Sequence, residues 1–293
     1  CGATCNANFD SGVSVALGAA PTTDSFFAGW SGACTGVGAC NVTMDAAKSV
    51  TANFKLNTTI PRLANIATRM QVLTGADVLI GGFIIGGSQA KTVVVRARGP
   101  SLTAAGVPGA LQNPLLQLFS GQTVIAANDD WQQAPNAATV QSSGFAPADT
   151  RESAILITLG PGAYTAIVSG VGGTTGVGIV EVFEVDLPQV PLINIATRGQ
   201  VLTAADVMIG GFIIQGDAPQ TVIVRARGPS LTAAGVPGAL QDPVLQLFSG
   251  QTPIGINDDW QTDANAGQIQ SRGFAPSDPR ESAILVTLPP GAY

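Results

Sequence analysis

Apolar and polar side chains alternate along many short stretches of the chain, which is the pattern of half-buried β-strands. In residues 11–17, for example, Val13, Val15 and Leu17 fall on one face. Further strand patterns lie near 25–30, 41–44 and 49–54, and a longer series predicts strands near 65–69, 77–86, 91–98, 114–119, 123–127, 152–159, 162–169 and 176–185. One short helix is predicted within 136–143. Many short strands joined by turns predict an all-β fold.

The strand pattern of the middle of the chain is repeated in its C-terminal part. The pentapeptide Asn-Ile-Ala-Thr-Arg at 65–69 recurs at 194–198, and an offset of 129 residues then holds without a gap to Tyr293. About 75 of the 100 aligned positions are identical. A period this long corresponds to a whole domain, because solenoid repeats are roughly 20–50 residues long.

This repeat predicts three domains, a small β module at 1–56 and two tandem β-sandwich or jelly-roll repeats at 62–186 and 191–293. The segments 57–61 and 186–191 contain proline and are predicted to be linkers. The second repeat is expected to be incomplete, because the strand patterns at 165–170 and 176–185 have no counterpart after Tyr293. Tandem copies favour a structural or binding role over catalysis, since repetition extends reach and raises avidity.

The amino-acid composition argues against several classes of function. Apolar residues make up 45% of the chain and charged residues 11%, with 36 Gly and 19 Pro, which suits short strands and many turns. No apolar run approaches the roughly 18 residues of a membrane span. A net charge of −6 without a basic cluster argues against a nucleic-acid partner. The chain has no histidine, which removes the commonest general base and transition-metal ligand.

The cysteines all lie in the first module, at Cys1, Cys5, Cys34 and Cys40. We expect local disulfides Cys1–Cys5 and Cys34–Cys40, because each pair flanks a turn that contains glycine. A metal site is the rival interpretation, but these spacings differ from the usual zinc pattern. Cys1 as a lipoprotein anchor is a further alternative. Disulfides imply an oxidising, extracellular location.

The first module also carries a family resemblance. The segments Phe-Ala-Gly-Trp-Ser-Gly-Ala-Cys at 27–34, Gly-Ala-Cys-Asn-Val-Thr-Met at 38–44 and Lys-Ser-Val-Thr-Ala-Asn-Phe at 48–54 resemble the divergent internalin B-type repeat. The resemblance implies a small β-grasp-like module of a bacterial surface protein that spaces and displays other domains. The first strand of that family is absent before Cys1, which favours a cut N-terminus.

The repeats resemble β-sandwich modules that occur in tandem in large secreted bacterial proteins. The resemblance rests on Ile-Gly-Gly-Phe-Ile-Ile at 80–85, Arg-Gly-Pro-Ser-Leu at 98–102, Asn-Asp-Asp-Trp at 128–131 and Glu-Ser-Ala-Ile at 152–155. More distantly, the last third of each repeat is similar to pre-peptidase C-terminal domains, which accompany secreted enzymes without being catalytic. The resemblance implies location and architecture and no activity.

Two acidic loops are candidate calcium sites. Three side-chain oxygen donors follow one another in each repeat, and carbonyl oxygens with Asp149 or Asp278 could complete a Ca²⁺ shell. The alternative is that these residues cap the following turn while the tryptophan covers the edge of the core. The candidate ligands are Asn128, Asp129 and Asp130 in the first repeat and Asn257, Asp258 and Asp259 in the second. Apart from this structural calcium, no cofactor is expected.

Two arginines in each repeat are candidate ligand-binding residues. Arg96 and Arg98 lie on one face of the predicted strand at 91–98, and Arg225 and Arg227 are their counterparts. Two guanidinium groups about 7 Å apart could clamp a carboxylate or an acidic sugar. The alternative is internal ion pairing, for which Glu152, Asp129 and Asp130 are available.

Aromatic residues provide a second candidate ligand surface. Trp131 and Trp260, with Phe145 and Phe274, could form a platform on which sugar rings stack. With aromatic residues at only 5% of the chain, the core of each sandwich competes for the same side chains.

Catalytic chemistry finds little support in the sequence. Glu152 and Glu281 could each pair with an aspartate as in glycosidases, but no sequence feature sets the required separation. The chain has no histidine, and no lysine lies beside these serines in the repeat, so they have no evident activating base. We therefore expect no enzymatic activity.

The sequence as a whole predicts a structural repeat protein of an extracellular filament, stalk or adhesin at the bacterial cell surface. The incomplete second repeat suggests head-to-tail assembly by β-strand complementation, in which a neighbour donates the absent strand. Ordinary truncation explains the same feature. The alternative function is a carbohydrate-binding or adhesion module of a secreted multidomain protein. The expected partners are therefore further copies of the chain or a polysaccharide.

Overall fold

The computed structural model describes residues 6–22, 25–56, 61–186 and 190–293. The chain forms two compact units, Cys1–Ile60 and Pro61–Tyr293. Most of the regular structure is antiparallel β-sheet, and the helices are short, so the all-β prediction is confirmed. The predicted Cys1–Cys5 disulfide, most of the first predicted linker and half of the second lie outside the described residues.

The first unit contains two strand pairs. Strand β1 (Ser14–Leu17) pairs with β3 (Cys40–Thr43), and β2 (Ser25–Gly32) pairs with β4 (Val50–Leu56), both antiparallel. A small core of Trp30, Cys40 and Val42 holds the pairs together. The indole Nε1 of Trp30 donates a hydrogen bond of 3.0 Å to the carbonyl oxygen of Gly38.

The predicted disulfide Cys34–Cys40 is present, with the two Cα atoms 5.7 Å apart. The loop that it closes is short, and the bond links Cys34, just after β2, to Cys40, the first residue of β3, beside the core. A module this small buries little apolar surface, so a covalent link contributes a large share of its stability.

The first repeat folds as a β-sandwich whose strands correspond closely to the predicted ones. Its strands are β5 (Arg62–Val72), β6 (Leu79–Ile85), β7 (Lys91–Arg98), β8 (Pro114–Ser120), β9 (Thr123–Asn128), β10 (Ser153–Leu159), β11 (Gly162–Gly170) and β12 (Gly176–Glu184). Helix α2 (Ala137–Ser142) lies where a helix was predicted. Helix α1 (Pro100–Ala104) was not predicted, because its five residues are too few for a periodic pattern.

The second repeat has matching elements up to its last strand. They are β13 (Leu192–Arg198), β14 (Ile209–Gln215), β15 (Gln220–Ala226), α3 (Pro229–Ala233), β16 (Leu245–Ser249), β17 (Thr252–Asn257), α4 (Ala266–Ser271), β18 (Ser282–Leu288) and β19 (Gly291–Ala292). Only the beginning of a β11 equivalent is present, as β19, and no described strand corresponds to β12.

The two repeats share their sheets. One sheet has the strand order β10-β7-β12-β5-β14-β19, and the facing sheet has the order β13-β6-β11-β8-β9. The first two strands of the second repeat therefore extend the sheets of the first repeat, β14 beside β5 and β13 beside β6. The main core lies between these sheets and includes Met70, Phe83, Val95, Leu116 and Val168. Strand β19 pairs with β14 at the end of the first sheet, and the other strands of the second repeat form separate pairs, β15 with β18 and β16 with β17.

Candidate functional site

A buried glutamate organises the turn after β7 in each repeat. Glu152 is fully buried, and its Oε1 accepts hydrogen bonds from the backbone N–H of Gly99 at 2.9 Å, the N–H of Ser101 at 3.0 Å and the hydroxyl of Ser101 at 2.6 Å. Its Oε2 lies 3.9 Å from Nε of Arg98. Glu281 makes the same backbone contacts in the second repeat. These carboxylates therefore hold the start of α1 and α3 in place.

The serines beside these glutamates also form hydrogen bonds with the backbone. The hydroxyl of Ser153 donates to the carbonyl oxygens of Pro114 and Asp129, and the hydroxyl of Ser282 donates to those of Pro243 and Asp258. A hydroxyl group that is buried and donates to carbonyl oxygen is poorly placed to attack a substrate.

The candidate calcium loops are engaged in local hydrogen bonds. In the first repeat, Asn128 Oδ1 accepts from the N–H of Ala154 at 2.8 Å, and its Nδ2 donates to the carbonyl oxygen of Asp130 at 3.1 Å. Asn257 is bound in the same way in the second repeat. Burial, and then the charge of Asp130, raise the pKa of Asp129 above its usual value. Each asparagine thus ties its loop to β10 or β18, and neither Asp130 nor Asp259 caps the following turn with its side chain, so the capping expected in the alternative interpretation is not observed.

The second repeat places one acidic residue beside its loop that the sequence analysis did not name. Carboxylate oxygens of Asp242, Asp258 and Asp259 lie within 4.8 Å of one another. The counterpart of Asp242 in the first repeat is Asn113, so this cluster is not shared by the two copies. Calcium binding at either loop stays a prediction.

The candidate tryptophans are buried. Trp131 and Trp260 are 6% and 7% exposed and pack beneath α2 and α4, against Val140 and Ile269 respectively. Their rings therefore present little surface on which a sugar could stack. Phe145 is also covered, because it stacks on Phe183 with the ring centroids 4.4 Å apart.

The arginines of the first repeat make internal ion pairs. Arg96 Nε lies 2.5 Å from Oε2 of Glu181, its Nη1 donates to the carbonyl oxygen of Phe145 at 2.7 Å, and its guanidinium lies 4.6 Å from the centroid of the Phe183 ring. Both Glu181 and Phe183 belong to β12. Sequence reasoning did not name them, although both lie on the polar side of an alternating strand pattern.

The equivalent arginine of the second repeat keeps the carbonyl partner and has no carboxylate partner. Arg225 Nη1 donates to the carbonyl oxygen of Phe274 at 3.0 Å, and its guanidinium lies 5.9 Å from that ring. Among the described residues, no carboxylate lies within 4 Å of it. Burial, and then the charge of Arg227, lower its pKa. The contrast with Arg96 arises because no described strand occupies the β12 position beside β15.

Apolar residues around that position are exposed in the second repeat. Leu111 is fully buried under β12, where its N–H donates to the carbonyl oxygen of Val177 at 2.9 Å, whereas its counterpart Leu240 is 41% exposed. Val72 is fully buried, and its counterpart Val201 is 39% exposed. Strands β13 and β15 each pair on one side only. We call the surface formed by β13, β15, Arg225 and Leu240 the open strand site.

The described residues contain no helix that is long and apolar enough to cross a membrane.

Comparison with known proteins gives one family match and one structural neighbour. No curated protein matches the chain. The structure of the pre-peptidase C-terminal domain of collagenase from Bacillus anthracis is 14% identical, with a TM-score of 0.25, and covers 43% of this chain and 92% of that chain. It is the class of domain to which the repeats show a distant resemblance, and a match at this score supports no statement about function. The family model of the divergent InlB B-repeat domain matches residues 2–58, which confirms the resemblance of the first module.

Proposed function

We propose that the chain is a structural, non-enzymatic part of a bacterial extracellular assembly, a filament, stalk or adhesin, in which the open strand site receives a β-strand. The observation that carries the proposal is the contrast between the two repeats at the β12 position. Unpaired strand edges beside exposed apolar residues are features that proteins normally cover.

The strand that fits the open strand site can be described from the first repeat. There, β12 pairs with β5 on one side and β7 on the other, and it provides Glu181 opposite Arg96. A strand that fills the equivalent position between β13 and β15 would bring a carboxylate to Arg225 and an aromatic ring to Phe274. Backbone hydrogen bonds to both edges would supply affinity, and these two side chains would supply register.

A structural role also agrees with what the polar residues do. Glu152, Glu281 and the serines beside them are bound to the backbone, and Trp131 and Trp260 are part of the core. The match of the first module to a repeat domain and its Cys34–Cys40 disulfide support an extracellular location. Glycan binding, the second function expected from sequence, has less support because Trp131, Trp260 and Phe145 are covered, and only Phe274, at 51% exposure, presents a ring to solvent among the four candidates.

Negative-stain electron microscopy of the native, untagged protein tests the assembly. Regular filaments would support polymerisation, and we expect a neighbouring subunit to fill the open strand site in them. Separate rods of varying length would instead favour a monomeric stalk. If the same chain, extended by its natural downstream residues, fills its own open strand site, donation between subunits is wrong.

A further inference from the structure

The two repeats meet through equivalent residues. The hydroxyl oxygens of Thr68 and Thr197 lie 2.6 Å apart, and these two threonines occupy the same position in the two copies. Strand pairing has the same property, since β5 pairs with the equivalent of β6, and β6 pairs with the equivalent of β5. Contact between a residue and its own equivalent occurs at a twofold axis.

The polar contacts on both sides of this axis are reciprocal. Gln71 Nε2 donates to Oδ1 of Asp206 at 3.4 Å, and Gln200 Nε2 donates to Oδ1 of Asp77 at 3.0 Å. Gln200 is the equivalent of Gln71, and Asp206 is the equivalent of Asp77. The interface is therefore isologous, as in a twofold dimer, although both partners belong to one chain.

The symmetry is broken at one position next to the axis. Met70 in the first repeat corresponds to Gly199 in the second. A Cβ atom built on Gly199 would lie 1.8 Å from Cε and 2.3 Å from Sδ of Met70, so the methionine fills the space where a side chain at 199 would stand. Gly199 has no left-handed backbone conformation, so the constraint at this position is space, and a side chain fits there only if the buried Met70 side chain moves.

We propose that the Met70–Gly199 pair determines which repeats associate through this surface. The partner of the surface is another copy of the repeat, and a copy with methionine at this position fits a copy with glycine. Two methionines would compete for one volume, and two glycines would leave a cavity in a core where Met70 is almost completely buried. The pair thus favours association of unlike repeats over association of like ones.

Thermal unfolding of full-chain variants tests this proposal. Gly199→Ala is expected to lower the unfolding midpoint by about 3 °C or more, because the new methyl group displaces Met70. In the Met70→Ala background the same substitution should cost nothing, since the competing side chain is gone. Gly210→Ala on β14 is the matched control, because a Cβ there meets no atom within 4 Å.

Exchange of the two residues provides the second test. The double variant Met70→Gly/Gly199→Met is expected to have a higher midpoint than either single variant, because the methionine then enters the same space from the other repeat. An equal cost of Gly199→Ala with and without Met70, or a double variant that loses the sum of both single losses, would overturn the proposal. Gly199→Ala, alone and in the Met70→Ala background, tests the proposal even if the Gly199→Met variants fold poorly, since it adds a single methyl group.

Discussion

At the scale of single residues, Glu152 has the largest expected effect on stability. Its carboxylate satisfies two backbone N–H groups at the start of α1, and Glu152→Ala would leave both without a partner. We expect a loss of about 3 kcal/mol in the free energy of unfolding, measured with urea. Arg151→Ala is the matched control, because the ion pair of Arg151 with Asp149 lies at the surface, where its loss should lower the free energy of unfolding only slightly. Equal losses in the two variants would mean that the hydrogen bonds of Glu152 contribute little to stability.

Asp129 is expected to destabilise the fold at neutral pH. Its pKa is raised in the folded state, so the folded protein holds this proton more tightly than the unfolded chain does. Ionisation of Asp129 therefore lowers the stability as the pH rises through the raised pKa, and the full stability returns below the unfolded value of 3.8. Asp129→Asn should therefore raise the free energy of unfolding slightly at pH 7, because solvent screens this partly exposed group, and should have no effect near pH 3. The measurement is urea unfolding at both pH values without and with Ca²⁺. If Asp129→Asn lowers the stability only when Ca²⁺ is present, Asp129 is a calcium ligand.

At the scale of elements, the sheets shared by the two repeats predict a specific crosslink. Thr68 on β5 and Thr197 on β13 have their hydroxyl oxygens 2.6 Å apart, although they are 129 residues apart in sequence. Thr68→Cys/Thr197→Cys should form a disulfide under mild oxidation, seen as faster migration on a non-reducing gel. Thr221→Cys/Thr287→Cys, a pair within the second repeat, is the positive control. Crosslinking in the control but not across the repeats would contradict the shared sheets.

The sequence predicts the strands well and their pairing across the repeats poorly. Period-2 patterns such as the one in β7 reflect burial on one face, so they locate strands directly. The strands that pair across the repeats are determined by contacts of β5 and β6 with their equivalents in the other copy. Because the two copies have nearly the same sequence, the sequence does not indicate which strands will pair in this way. The role of Gly199 was hidden for the same reason, because its requirement comes from Met70 in the other repeat.

At the scale of the whole molecule, twofold pairing limits how the chain can assemble. An isologous interface uses the β5 and β6 edges of both repeats, so these edges are not available to the strand that we propose, and the open strand site is where it would bind. A labelled peptide with the sequence of β12, residues 176–184, should bind the full chain and raise its unfolding midpoint.

The charge of the added strand decides this last prediction. The carboxylate of Glu181 meets Arg96 in the first repeat, so in the peptide it should meet Arg225. A peptide with Glu181→Arg should bind at least about tenfold more weakly, because like charges would face each other in a partly buried site. The Arg225→Glu chain should reverse the preference and bind the altered peptide better than the original.

Fluorescence anisotropy at low salt measures both affinities, and Arg280→Glu, an exposed arginine in the same repeat, controls for net charge. If the chain binds both peptides equally, or if Arg280→Glu has the same effect, a general hydrophobic surface explains the binding. Reversal specific to Arg225 would show that the second repeat selects its strand by the same contact that holds β12 in the first.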